Sequence, residues 1–500
     1  MKYLYHSFLM LSIFLGMSCN PSTEKASWQG ETPESQGISS QAILDFIEAV
    51  ERERPNDLHS FVLLRHGKQV AKGWWHPYDK ESRHTLYSLS KSFTSTAIGI
   101  AQAEGLLSVN DPVIKFFPDE TPANPSENLK SMRIRDLLKM NSGHNQEPSA
   151  ATTQNTESWV KGFLSAQVEH KPGTHFVYNS MATFMLSAII QKVTKQTLSE
   201  YLTPRIFKPL GIENFKWEKN PQGIDFGGWG LNIRTEDIAR FGQLYLQKGK
   251  WEGKQLIPEA WVEEATSFQT SNGSNPESDW EQGYGYQFWM CRHGLYRGDG
   301  AFGQYCIVFP KQEAVLAITS GTRDMGAIMN LVWKYLLPAI KDEPLKANDI
   351  AYKALQEKTA SLKLNPVKGE KSAAIVEKIS GVNYTLEEND WGLKTISFKL
   401  SGNQPSMTFT GADSTYSLPI GFGEYKEGNY VFPQRGKHSV ATSAGWTEGD
   451  TLQLMMYMDE TPHGYMAKIS FKDEKFKMER ELNANFGPTK QTPLVGKMRK

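Results

Sequence analysis

The run Thr85-Leu86-Tyr87-Ser88-Leu89-Ser90-Lys91-Ser92-Phe93-Thr94 decides how this chain is to be read. Ser88 to Ala103 reads as a helix: Phe93, Ala97, Ile98, Ile100 and Ala101 are small or apolar, and Gly105 stops it. Two residues three apart on a helix share a face, so the Ser88 hydroxyl and the Lys91 amine are neighbours. A lysine takes a proton from serine only when it is neutral. Its ordinary pKa is about 10.4, so burial or nearby positive charge has to lower it. The helix start also aims backbone N–H groups at any developing oxyanion. Standing alone, the four-residue pattern is a weak signal, and an ordinary helix start with an exposed lysine is its commoner meaning.

Outward from that helix, residues 30–340 alternate strand and helix patterns. His59 to Trp75 reads as a hairpin turning at His66-Gly67-Lys68. Trp74 and Trp75 read as core and strand packing. Met181 to Val193 is predicted helical with Ser180 as N-cap. Glu236 to Leu246 and Ala327 to Leu337 are two more predicted helices. Gln304 to Ser320 reads as two strands around Pro310-Lys311-Gln312.

Further motifs fall in order along the chain. They are Gly105-Leu106-Leu107 with Asp111-Pro112 and Phe117-Pro118, then Ile134 to His144, then Thr235 to Gly242, then Gly253 to Pro258. With Ser88-x-x-Lys91, this set resembles the class C β-lactamases and their esterase and amidase relatives, over roughly residues 30–340. The resemblance implies an α/β fold of the β-lactamase/transpeptidase type: an antiparallel sheet flanked by helices, plus a helical subdomain. It implies Ser88 as nucleophile and Lys91 as its proton acceptor. It also makes Tyr178 of Tyr178-Asn179-Ser180 the group that protonates the leaving group, where relatives carry Tyr-x-Asn. Ser180 stands where that Asn would be, with one donor fewer. The alternative for Tyr178 is a core tyrosine.

The family's third element is a strand bearing Lys or His, then Thr or Ser, then Gly. Gly300-Ala301-Phe302-Gly303-Gln304 is its best counterpart, with Ala301 in the cation's place. The resemblance implies an oxyanion hole from the Ser88 N–H and one near Gln304, with Gly303 and Ser180 beside the substrate. Loss of the cation argues against strong β-lactamase or D-Ala-D-Ala carboxypeptidase activity and favours the branch similar to 6-aminohexanoate-dimer hydrolases and carboxylesterases. Arg292, Arg297 and Asp299 read either as substrate charge contacts or as a solvated loop. His144 reads as structural or pocket lining, and Trp229 as pocket wall or core.

With 500 residues the chain has room for two or three domains. A net charge of zero leaves no footprint for nucleic acid. No metal cluster, phosphate loop or cofactor motif stands out. Lys2 followed by apolar Phe8 to Met17 reads as an export signal over residues 1–19. Leu15-Gly16-Met17-Ser18-Cys19 resembles a lipoprotein cleavage site that would lipidate Cys19, with Gly16 unusual there. Ordinary cleavage and an uncleaved segment are the alternatives. Residues 20–29 then form a tether, 30–340 the hydrolase domain and 341–370 a connector. Residues 371–500 are a small all-β domain, sandwich or barrel, in which Ile396, Phe398 and Leu400 alternate with polar neighbours. Export permits a Cys291–Cys306 disulfide; two buried thiols are the alternative.

The sequence therefore points to an exported serine hydrolase, periplasmic or membrane-anchored, acting on a small ester or amide without a cofactor. Its rivals are a cell-wall or β-lactam hydrolase and a catalytically silent binding lipoprotein.

Overall fold

The computed structural model describes residues 30–412, 414–432, 436–447 and 450–499. The export and lipidation expectations for residues 1–29, Cys19 included, lie outside them. Among the described residues no helix is long and apolar enough to cross a membrane.

A six-stranded antiparallel sheet forms the frame. Its order is Lys68–Trp74, Leu58–Arg65, Ala314–Ser320, Gln304–Phe309, Tyr296–Gly300 and Trp289–Met290. The middle strands read as unbroken apolar runs because both faces are covered. Successive side chains point to opposite sides. Val62, Leu64, Val308 and Val315 join one core with Phe93 and Phe241, while Phe61, Leu63, Ile307 and Leu316 join another with Phe46 and Ile328. Cys306 belongs to the first core and Cys291 to the second. They are buried free thiols, and opposite sheet faces forbid the bridge that the sequence left open.

The helix carrying the motif runs Ser90–Ala103 and follows a 3-10 turn, Tyr87–Leu89. It is buried from Ser90 to Ala101 between the sheet and the helical subdomain. Phe93 stacks on Phe241 of the helix Thr235–Leu246 at 3.8 Å. The predicted helix after Tyr178 spans Ser180–Thr194 and differs in its cap. Asn179 is the N-cap, its side chain accepting from Ala182 N at 2.9 Å, so Ser180 is the first helical residue. The helix predicted from Ala327 spans Met325–Leu331 and continues as a wider turn, Val332–Leu336.

The C-terminal region is one barrel-like sheet of eleven strands. Its antiparallel path runs from Thr415–Pro419 at one edge, through Lys490–Met498, to Gly436–Trp446 near the other. Ile396, Phe398 and Leu400 fill its interior. The preceding segment is more than a connector. Its helix Asp349–Ala360 packs on Ser40–Glu53, and Leu355, Leu362 and Leu364 join the hydrolase core.

Candidate active site

The nucleophile turn, the start of Ser180–Thr194, the Gly227–Gly230 loop and the strand Tyr296–Gly300 converge on one cavity of about 500 Å³. Lys91 is its hub. Nζ lies 3.0 Å from Ser88 Oγ, 3.1 Å from Ser180 Oγ and 2.6 Å from the Gly228 carbonyl oxygen. It also sits 4.9 Å from the centre of the Tyr178 ring. Burial lowers the amine from 10.5 to about 7, against the opposing charges of Glu147 and Asp299. Burial, with help from the Asp299 charge, pushes the Tyr178 phenol upward; its hydrogen bond with Ser88 opposes the rise.

Local sequence explains the approach. Gly228 runs so close to the helix start that a Cβ there would lie 2.7 Å from Ser180 O, so only glycine brings that carbonyl to Lys91. With Asn179 taking the cap, the Ser180 hydroxyl is free to face Lys91. Glu147, for which the sequence held no signal, accepts from Ser180 N at 2.6 Å and Met181 N at 3.1 Å. A carboxylate is favourable at a helix start.

The third element differs in register from the sequence reading. Gly303 and Gln304 do not line the cavity. The Gln304 side chain is spent on Ala301 O at 3.0 Å and Ser320 O at 2.8 Å, which fixes the turn. The backbone beside Ser88 is that of Gly300, where a Cβ would sit 3.1 Å from Ser88 N and collide with the Leu86 carbonyl. The side chain this strand turns into the cavity is Asp299, with Ala301 next to it. The fully buried Arg297 pairs with Asp299 at 2.7 Å and lies 4.8 Å from the Trp280 ring. Neither residue belongs to a solvated loop. Arg292 is tied to Asp279 at 2.7 Å, away from the cavity.

Trp229 lines the cavity and stacks on Phe226 at 4.4 Å. Trp280 and Trp289 are further walls that the sequence reading did not single out; Trp289 stacks on Tyr178 at 5.3 Å. His144 does not reach the cavity. Its Nδ1 lies 2.9 Å from Ser142 Oγ, which accepts from Asn179 Nδ2 at 3.3 Å, and burial lowers the ring to about 4. It braces the N-cap. Trp75 belongs to the second core, while Trp74 is partly buried against the first.

An antiparallel sheet, a helical subdomain and a Ser–Lys pair at the start of a buried helix define the β-lactamase/transpeptidase class of folds. The chain belongs to the Beta-lactamase family, a family of serine hydrolases: residues 53–335, more than half its length, match that family's model. It is 31% identical over 196 residues to Protein flp of Staphylococcus aureus (strain COL), covering 36% of this chain and 39% of the relative. It therefore spans about two-fifths of that relative's length. It is 23% identical over 291 residues to the 6-aminohexanoate-dimer hydrolase of Paenarthrobacter ureafaciens, covering 53% of this chain and 73% of that one. Among solved structures, EstCE1, a hydrolase with promiscuous acyltransferase activity, superposes with a TM-score of 0.50 at 15% identity. That superposition covers 59% of this chain and 99% of EstCE1.

Proposed function

We propose that this protein cleaves an amide or ester bond of a small acyl substrate through an acyl-enzyme on Ser88. The observation that carries the reading is the threefold setting of Lys91 Nζ. A neutral amine has two N–H groups and one lone pair. With the N–H groups donated to Gly228 O and Ser180 Oγ, the lone pair is left for the Ser88 hydroxyl proton. Ser88 Oγ attacks the carbonyl carbon and its proton passes to Lys91. The developing oxyanion lies between the Ser88 N–H, in a first helical turn with no intrahelical acceptor, and the N–H of Ala301, which follows Gly300 in the turn. This replaces the assignment to Gln304. Tyr178, kept protonated by burial, supplies the proton to the leaving group. The proton that Lys91 took from Ser88 then refills Tyr178, which leaves the amine neutral; water attacks the acyl carbon as it gives a proton to Lys91, and that proton passes to Ser88 Oγ as the acid leaves.

The esterase or amidase reading ranks above the β-lactam or D-Ala-D-Ala reading because of charge. The cavity presents Asp299 and Glu147, both acidic, where a substrate carboxylate would need a cation. The relative named as a 6-aminohexanoate-dimer hydrolase supports an amide substrate. A panel of p-nitrophenyl esters, D-Ala-D-Ala peptides and nitrocefin, run on wild type and Ser88→Ala, tests the ranking. We expect Ser88-dependent turnover of esters and slow or no turnover of nitrocefin; rapid nitrocefin hydrolysis would reverse the order. Export and anchoring through lipidated Cys19 belong to the same proposal. Metabolic labelling with radioactive palmitate, lost in Cys19→Ala, is the expected result, and an unlabelled wild type contradicts it.

A further inference from the structure

We infer that the C-terminal sheet completes the active site, and that its residue Phe486 selects apolar acyl chains. The inference rests on the acyl-enzyme reading above. Phe486 comes from the connection between the strands Lys475–Leu482 and Lys490–Met498, far from Ser88 in sequence, yet its ring lines the same cavity. It is 76% exposed and extends a lining already rich in aromatic rings, Trp229, Trp280 and Trp289 among them. Its ring neighbours are Phe302 at 4.8 Å and Tyr87 at 5.6 Å, the second being the residue directly before the nucleophile.

The placement is fixed by hydrogen bonds across the two domains. Asn483 donates from Nδ2 to Gly321 O at 3.0 Å and Pro462 O at 2.8 Å, and accepts from Gly464 N at 2.7 Å. Gly321 directly follows the sheet strand Ala314–Ser320 of the hydrolase domain. His463 Nδ1 lies 3.0 Å from Ala484 O, which calls for a proton on that nitrogen. The Nε2 lone pair is then available to the Tyr87 hydroxyl at 2.7 Å. The Glu460 carbonyl accepts from Thr85 N at 2.9 Å, and its carboxylate meets Arg83 at 3.0 Å. The segment entering the nucleophile turn is thus clasped by the same loops that hold Phe486.

The walls are distinct. Tyr178, assigned to the leaving group, stacks on Trp289, whereas Phe486 packs on Tyr87 and Phe302. Met325 lines the cavity as well and adds apolar surface. An acyl chain leaving the reacting carbonyl on the Phe486 side therefore meets apolar surface supplied by the second domain. Asn483 and His463 are positioning residues and Phe486 the specificity-determining one.

The test is kcat/KM for p-nitrophenyl acetate and octanoate with wild type, Phe486→Ala and Phe486→Leu in the full chain. The exposed ring carries little packing, so all three should fold, which equal Tm values check. Wild type should prefer octanoate. Phe486→Ala should lower the octanoate-to-acetate ratio roughly tenfold, the scale of a few lost apolar contacts, through KM for octanoate. Phe486→Leu should keep most of the preference. A wild type without the preference, or an unchanged ratio in Phe486→Ala, overturns the inference. Ester turnover that survives Ser88→Ala overturns instead the nucleophile assignment on which the inference stands.

Discussion

At the scale of single residues, Lys91 carries two opposed demands. Its burial disfavours the ammonium form, which makes it a base near neutrality and makes the folded state pay for it. The folded pKa of about 7 lies below the ordinary 10.5, so the amine is mostly charged below pH 7 and neutral above. We expect kcat/KM to rise with pH through an apparent pKa near 7, and Lys91→Met to lose at least about a hundredfold in activity. The sign for stability is the reverse of the usual lysine. An unfolded chain holds this proton up to pH 10.5 and the folded one only to about 7, so the penalty on folding is whole below pH 7 and lifts as pH rises from 7 to 10.5. Lys91→Met should therefore raise Tm by a few degrees at pH 8, measured by calorimetry; a lower Tm would mean that its three hydrogen bonds outweigh its burial. The Ser88–Lys91 spacing was legible because a helix turn is a local rule. Asp299 was legible only as one of two readings, substrate contact or solvated loop: in Gly298-Asp299-Gly300-Ala301-Phe302-Gly303 the glycines erase the alternation that would have told inward from outward residues.

At the scale of elements, the helix Ser180–Thr194 shows how one position of register changes chemistry. Ser and Asn are both good N-caps, and the sequence alone favoured Ser180. The choice falls on Asn179 because its side chain is further bonded to Ser142, itself held by His144. Asn179→Ala should cost about 1 kcal/mol of stability, read as a shift in the urea midpoint. It should also lower kcat more than it raises KM for any ester turned over, since the Ser180 hydroxyl loses its fixed place beside Lys91. An unchanged kcat would show that the cap does not position that hydroxyl. The helices around the hydrolase core were readable from small and apolar runs bounded by stop and cap residues, such as Gly105. Their exact starts were not, because caps depend on partners distant in sequence.

At the scale of the whole molecule, the two domains meet over a set of buried histidines. His59 Nδ1 lies 3.0 Å from His84 Nε2, and His59 stacks on Tyr78 at 3.8 Å with Tyr457 of the C-terminal sheet against its edge. Burial holds His59 well below 6.5 and brings His84 to about 3, with the nearby His463 adding to both. Unfolded histidines bind protons below about pH 6.5, so this stability is whole above that pH and is lost as pH falls from there toward 3. We expect the urea midpoint to drop steeply between pH 6.5 and 4.5, and the drop to be shallower in His84→Gln; equal slopes would place the acid sensitivity elsewhere. The α/β class was legible from the ordered motifs and the family they resemble, and the β-rich C-terminal region from strand periodicity. The contact of that region with the active site was not. Phe486 and Ser88 are far apart along the chain, and nothing local in a Gly-, Asn- and Pro-containing loop announces where its aromatic ring will rest.

The most direct measurement for the account is the mass of the intact protein after incubation with a fluorophosphonate, followed by peptide mapping. Wild type should gain one adduct, mapped to Ser88, at a rate that follows the neutral fraction of Lys91, and Ser88→Ala should gain none. A wild-type protein that stays unmodified, or an adduct on another residue, would contradict it.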